Sequence, residues 1–179
     1  MLYFMKPLPE GSIDTNGWKP FIRTPWFRNY YMYFTYLLQA TLLITSIITG
    51  IWQSVDFYVI AVLTVFTYIV HELLHIAVIC RSGDISITHS GFFLWITSGA
   101  VLGKLRFFLF MSLPFFVFTV FPVLLCNFLP GEWNQFFIMI AWINAIIAGS
   151  DIINSLLIII KPPHSFFYRG YYYNQSDLM

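Results

Sequence analysis

Four long apolar stretches separated by short polar breaks dominate the chain. Between Arg28 and Asp56 no residue is charged, and Tyr31 to Trp52 supplies about 22 residues, enough for the roughly 20 that a membrane-spanning helix requires. Further apolar stretches run from about Phe57 to Cys80, Phe107 to Phe128 and Phe136 to Ile160. This pattern predicts an all-α integral membrane protein with four transmembrane helices. The segment from Ile85 to Ser98 departs from it. It is too short to span, its first half alternates apolar with polar or hydroxylated residues, and β-branched and aromatic types run through it around a turn-like Ser90-Gly91. It predicts a short β-hairpin or re-entrant strand pair over about residues 84–99, between helices 2 and 3.

Composition sharpens the class. Only 9% of residues are charged, against roughly 25% in an ordinary soluble domain, so a soluble globular protein is excluded. A net charge of +1 offers no field for nucleic acid, which is not expected as a partner. The positions of the charges say more than their sum. Lys6, Lys19, Arg23 and Arg28 precede the first span, Arg81, Lys104 and Arg106 lie between the second and third, and Lys161 and Arg169 follow the fourth, whereas the two opposite loops carry only Asp56 and Glu132. By the positive-inside rule both termini are cytoplasmic.

Three segments follow: a cytoplasmic N-terminal segment (1–30), a four-helix membrane domain (31–160) and a cytoplasmic aromatic tail (161–179). The N-terminal segment, rich in proline and glycine, reads as irregular, with Trp18, Trp26 and Phe27 at the interface. The tail from Phe166 to Tyr173 reads as a membrane anchor. The opening MLYFMKPLPEGS lacks the basic-then-apolar layout of a cleavable signal, so the N-terminus is expected to remain in the mature chain. Cys80 and Cys126 fall at opposite ends of their spans and read as packing residues rather than a disulfide.

Ionisable groups in a bilayer core are costly unless paired or hydrated, and so mark function. The second span carries His71-Glu72-Leu73-Leu74-His75 and the fourth carries Asp151. On a helix, His71 and His75 at i and i+4 project from one face and can share one zinc ion, with Glu72 within reach of a metal-bound water as general base. The plainer reading is hydrogen bonding of the same three groups to neighbouring helices. A hydrolytic zinc site needs a third protein ligand. Six residues after His75, where the soluble pattern places a histidine, stands Arg81. Asp151 fits instead, since its ten-residue distance from Lys161 matches the depth of His71 and His75 relative to Arg81. His89 is the alternative third ligand if the hairpin folds back. Asn144, Asp151 and Asn154 form one polar stripe on the fourth helix, making Asn144 and Asn154 auxiliary candidates, as interhelical hydrogen-bond formers first, or as groups that orient the metal-bound aspartate or donate to an oxyanion.

With this motif in a membrane helix, followed by a hairpin, another helix and an intramembrane Asp151, the chain resembles site-2 protease class intramembrane metalloproteases. It resembles more closely the Putative zincin peptidase family of small bacterial membrane proteins. That likeness runs over roughly residues 60–172, including Leu113-Pro114-Phe115, Pro122, Gly149-Ser150-Asp151 and Lys161-Pro162-Pro163. It implies zinc bound by His71, His75 and Asp151, Glu72 as catalytic base, and a place in the bacterial inner membrane. Site-2 proteases follow their aspartate with glycine, whereas here Ile152 follows Asp151.

The resulting expectation is an integral-membrane zinc endopeptidase. It cleaves a membrane-spanning or membrane-tethered peptide near the cytoplasmic face, with Ile85 to Ser98 offering an edge strand to the extended substrate. The alternative is a non-proteolytic metal-binding membrane protein, either an accessory subunit or a metal or proton transporter.

Overall fold

The computed structural model describes residues 1–9, 13–14, 16–53, 55–90, 93–128 and 130–175. It is mostly helical: α1 (Pro25–Ile48), α2 (Phe57–Ile79), α3 (Lys104–Phe115), a π-helical turn (Phe116–Val120), α4 (Phe121–Leu125), α5 (Gly131–Ile147) and α6 (Gly149–Ile159). Three continuous helices are long and apolar enough to cross a membrane: Pro25–Ile48, Phe57–Ile79 and Lys104–Leu125, the last running from α3 through the π turn to α4. The fourth predicted span is not one straight helix. It divides into α5 and α6, which meet at a 69° bend.

The first helix begins at Pro25 rather than Tyr31 because proline is pre-set for the first helical position after the extended Thr24. It stops at Ile48 because Gly50 takes a left-handed φ of +70°, the conformation that terminates helices at low steric cost. The bend between α5 and α6 also has a local cause. Gln39 of α1 donates from Nε2 to the Ile146 carbonyl at 3.0 Å, and its Cγ would lie only 2.6 Å from a Cβ on Gly149. Only glycine at 149 lets α1 approach closely enough to satisfy that carbonyl.

The distribution of side chains is inverted relative to a water-soluble bundle. Ile48, Phe57, Tyr58 and Leu105 are among the most exposed residues, whereas Thr35, Ser46, Thr67, His71, Ser112 and Asn144 are buried. An outward face this apolar is stable only in a non-aqueous surround, with polar groups satisfied internally. Thr35 and Ser46 do this by donating to Tyr31 O and Leu43 O of their own helix.

Two small sheets correct the all-α expectation. In the first, ordered β1-β3-β4, β1 (Leu2–Phe4) pairs parallel with β3 (Ile85–Ser90), which pairs antiparallel with β4 (Phe93–Ser98), setting Ile87 opposite Ile96. The hairpin is therefore present where the alternation predicts it, although its turn residues, Gly91 and Phe92, lie outside the described residues. The second sheet runs β2 (Lys19–Pro20), β7 (Tyr171–Asn174), β6 (Ser165–Tyr168), β5 (Leu102–Gly103).

The N-terminal segment, expected to be irregular, thus supplies a strand to each sheet. The tail, expected to be an anchor, is a hairpin closed by Arg169 and Gly170 at φ 44° and 82°, the positive values of a two-residue turn. Its aromatic side chains pack inward: Tyr172 is 1% exposed, and Phe167 stacks on Phe107 with centroids 4.6 Å apart. Both sheets lie at the end of the bundle where α1 and α3 begin and α2 and α6 end.

Candidate metal centre

His71 and His75 sit one turn apart on α2, both buried, and Asp151 sits in the first turn of α6, just past the bend. Their donor atoms converge. His71 Nε2 lies 3.1 Å from His75 Nε2 and 3.0 Å from Asp151 Oδ2, and His75 Nε2 lies 3.3 Å from the same oxygen.

The outer nitrogens of both rings are already committed. Asn144 donates from Nδ2 to the Pro114 carbonyl at 3.2 Å and to Thr119 Oγ1 at 2.9 Å, so its Oδ1 faces His71 Nδ1 at 2.8 Å. A carbonyl oxygen only accepts, so His71 Nδ1 carries the hydrogen and donates. His75 Nδ1 donates to the Phe110 carbonyl. That carbonyl is available because Pro114, four residues on, has no N–H to return to it. Likewise the π turn interrupts the helical ladder directly after Pro114, whose own carbonyl takes the bond from Asn144.

With both Nδ1 atoms donating outward, the rings in their neutral form turn the lone pairs of Nε2 toward each other and toward a carboxylate oxygen. Three acceptors this close repel unless a positive charge lies among them. A tetrahedral zinc ion bonded at about 2.0–2.1 Å sets its donors roughly 3.3 Å apart, close to the separations found here. The donor set of two imidazoles and one carboxylate, with backbone or amide acceptors behind both rings, is the chemistry of a catalytic zinc site. These residues fit the ion. Among the described residues this is the one group of three or more His, Cys, Asp or Glu side chains placed to hold a metal. His89, the alternative ligand, is exposed on β3 and belongs to no such group.

Asp151 gains from the positive end of α6, whose first turn it occupies. On its other side, Tyr31 of α1 reaches across with its hydroxyl 3.2 Å from Ser150 O and 3.0 Å from Asn154 Oδ1. Of the two auxiliary candidates, Asn144 therefore orients a histidine rather than the aspartate, and Asn154 ties α6 to α1. Sequence reasoning missed Phe110, Thr119, Tyr31 and Gln39. For Phe110 a signal existed, since any proline inside a helix frees the carbonyl four residues before it.

The profile of a family described as Putative zincin peptidase matches residues 64–166, more than half of the chain. This chain belongs to that family. The match runs from the middle of α2 to β6 and takes in both histidines, Glu72, the hairpin and Asp151. No curated protein and no solved structure matches the chain.

In this family member the donors open onto a cavity of about 390 Å³. Glu72 shares its wall with His71, His75 and Asp151, opposite Met32, Gln39 and Leu43 of α1. Leu94, Trp95 and Ile96 of β4 line it as well. A second cavity of about 520 Å³, between the two sheets, shares Trp95, Ile96, Phe110, Met111 and Asn154 with the first, so the two adjoin along β4. Cys80 and Cys126 are free thiols.

Proposed function

We propose that the protein is an intramembrane zinc endopeptidase, with His71, His75 and Asp151 as ligands and Glu72 as general base. The observation that carries this reading is the convergence of three buried lone-pair donors on a cavity wall that also holds Glu72. A bound zinc ion supplies Lewis acidity, lowering the pKa of a coordinated water and polarising a peptide carbonyl. Glu72 follows His71 directly on α2, takes the proton of the attacking water on its carboxylate and hands it to the leaving amine. Asn144 and the Phe110 carbonyl hold the two imidazoles in the tautomer that binding requires.

The substrate is a membrane-spanning or membrane-tethered peptide, unwound near the cleavage point because a helix hides its carbonyls. The sheet order leaves one edge of β4 without a strand partner among the described residues, and β4 lines the cavity. An extended peptide added there gains backbone hydrogen bonds while its side chains enter the adjoining cavities. The basic residues cluster at the sheet end, which the positive-inside rule assigns to the cytoplasm, and the family resemblance suggests that the membrane is a bacterial inner membrane. The resemblance to site-2 proteases, carried by the motif and by Asp151, supports the same chemistry.

The test is metal analysis of detergent-purified protein together with N-terminal peptide profiling of cells expressing it. Wild type carries close to one zinc per chain, His71→Ala and Asp151→Ala lose it, and Glu72→Gln keeps it while new protein N-termini disappear. Equal zinc in His71→Ala and wild type, or identical N-termini in Glu72→Gln and wild type, would sink the proposal.

A further inference from the structure

The open edge of β4 has a definite phase. Met5 N–H donates to Ile87 O at 2.8 Å and Ile85 N–H to Met1 O at 2.9 Å, so Ile85 and Ile87 turn their main-chain groups toward β1. Ser86 and Thr88 turn theirs toward β4, where the register sets them opposite Thr97 and Trp95. Leu94, Ile96 and Ser98 therefore present their N–H and C=O groups to the open edge. At Leu94 the N–H is already accepted by the Tyr68 hydroxyl of α2. Of the other two, Ile96 lines the donor cavity, and Ser98 lines only the cavity between the sheets. An extended peptide drawn to the metal donors thus pairs with Ile96.

That pairing decides where the peptide's side chains go. Residues directly opposite one another in a ladder point to the same face, and neighbours along a strand alternate. The peptide residue opposite Ile96 shares the face of Ile87 and Ile96, so the residues on either side of it share the face of Ser86, Thr88, Trp95 and Thr97. All four of these line the cavity between the sheets. Its volume of about 520 Å³ is in the range of pockets that take whole small molecules, and a short side chain leaves it largely empty. Much of the remaining wall is aromatic, with Phe21, Phe107, Phe110 and Phe167. No acidic residue is among the described lining residues, and Arg169 donates to Pro9 O and rests on the Tyr168 ring.

We infer that this cavity is the side-chain pocket of the endopeptidase proposed above, on whose reading it rests, and that it selects a large aromatic residue next to the substrate residue paired with Ile96. An aromatic ring gains edge and offset-stacked contacts with the phenylalanines beyond what its buried area supplies. A charged side chain loses its water there without gaining a partner.

Two measurements on the full chain separate the pocket from the catalysis. The first titrates zinc-free protein in uncharged detergent with N-acetyl-phenylalaninamide or N-acetyl-alaninamide, read by saturation-transfer NMR. Wild type binds the phenylalanine probe about ten-fold more tightly. Thr97→Trp, which fills the cavity from β4, abolishes that difference, and the smaller Thr97→Leu reduces it. The second maps protein N-termini in cells expressing wild type or the same variants, with Glu72→Gln as the blank. Wild-type cleavage sites carry a large aromatic residue at a fixed distance from the cut and show no such preference at the adjoining positions, whose side chains point to the other face. In Thr97→Trp a small residue takes that place, while zinc content stays that of wild type.

The inference is overturned if the alanine probe binds wild type as tightly as the phenylalanine probe, or if both Thr97 variants keep wild-type probe binding and wild-type residue preference. Aromatic binding that Thr97→Trp abolishes, in cells where Glu72→Gln changes no N-terminus, overturns the peptidase reading instead and leaves the pocket and its aromatic ligand standing.

Discussion

Asn144 accepts a hydrogen bond from His71 Nδ1 at 2.8 Å while both of its own N–H bonds are committed to Pro114 O and Thr119 Oγ1. The amide therefore cannot turn over, and the imidazole it faces is fixed in one tautomer. Asn144→Ala removes that constraint and leaves the ring free to present the wrong nitrogen. Its zinc dissociation constant should rise by about 10–100-fold, the usual effect of losing a partner behind a metal ligand. Competition with a fluorescent chelator measures it, and an unchanged constant would show that packing alone orients His71.

Pro114 acts on the other histidine at one remove. Its missing N–H frees the Phe110 carbonyl that His75 uses. In Pro114→Ala the new N–H competes for that carbonyl and draws it back into the helix. Zinc affinity is expected to fall by up to about ten-fold. Thermal stability of the metal-free protein should not fall, because a proline inside a helix is itself destabilising. Metal binding and unfolding measured on one preparation separate the two effects.

Gly149→Ala places a methyl group 2.6 Å from Gln39 Cγ, near the stem of that side chain, where relief requires α1 to shift. Overpacking of this kind costs about 1–3 kcal/mol. The shift also moves Asp151, two residues on, so zinc occupancy should fall together with the melting temperature. Gln39→Ala added to Gly149→Ala removes the collision, and the double variant should be more stable than the sum of the single effects implies. Strict additivity would mean that the two residues do not meet.

Lys161 is held at the end of the bundle, donating to Phe21 O at 2.6 Å with its ammonium 4.3 Å from the Tyr172 ring centroid. Burial in this aromatic setting, and then the nearby Arg23 guanidinium, lower its pKa below the ordinary lysine value. The folded state thus releases this proton at lower pH than the unfolded state does. The group's contribution to stability is complete above the unfolded pKa of about 10.4 and is lost as pH falls through the depressed folded value. Melting temperature should rise across that alkaline window in wild type and rise less in Lys161→Met.

The candidate ligands were legible because their logic is local or nearly so. His71 and His75 lie one helical turn apart, and the bilayer lengths of two stretches place Asp151 at their depth. The hairpin announced itself by alternation. The tail did not, because Phe166 to Tyr173 is aromatic apart from Arg169 and Gly170 and has the composition of an interfacial anchor as much as of a strand pair. Its inward packing follows from Tyr172 and Phe167 finding Phe21 and Phe107, residues far away in the chain. The break in the fourth apolar stretch was equally hidden, since Gly149 reads as a small packing residue until Gln39 of α1 is seen beside it.

The sequence by itself determined the class of the protein, its apolar spans and the motif that offers two imidazoles and a carboxylate on one turn, because helix periodicity and bilayer thickness act on residues near one another in the chain. Only the tertiary structure decided that Asp151 meets those imidazoles, that Asn144 and the Phe110 carbonyl hold them in the donor tautomer, and that β4 borders the cavity. Those features depend on which carbonyls a proline, a π turn and a helix break leave without partners, and on which distant side chain reaches each one.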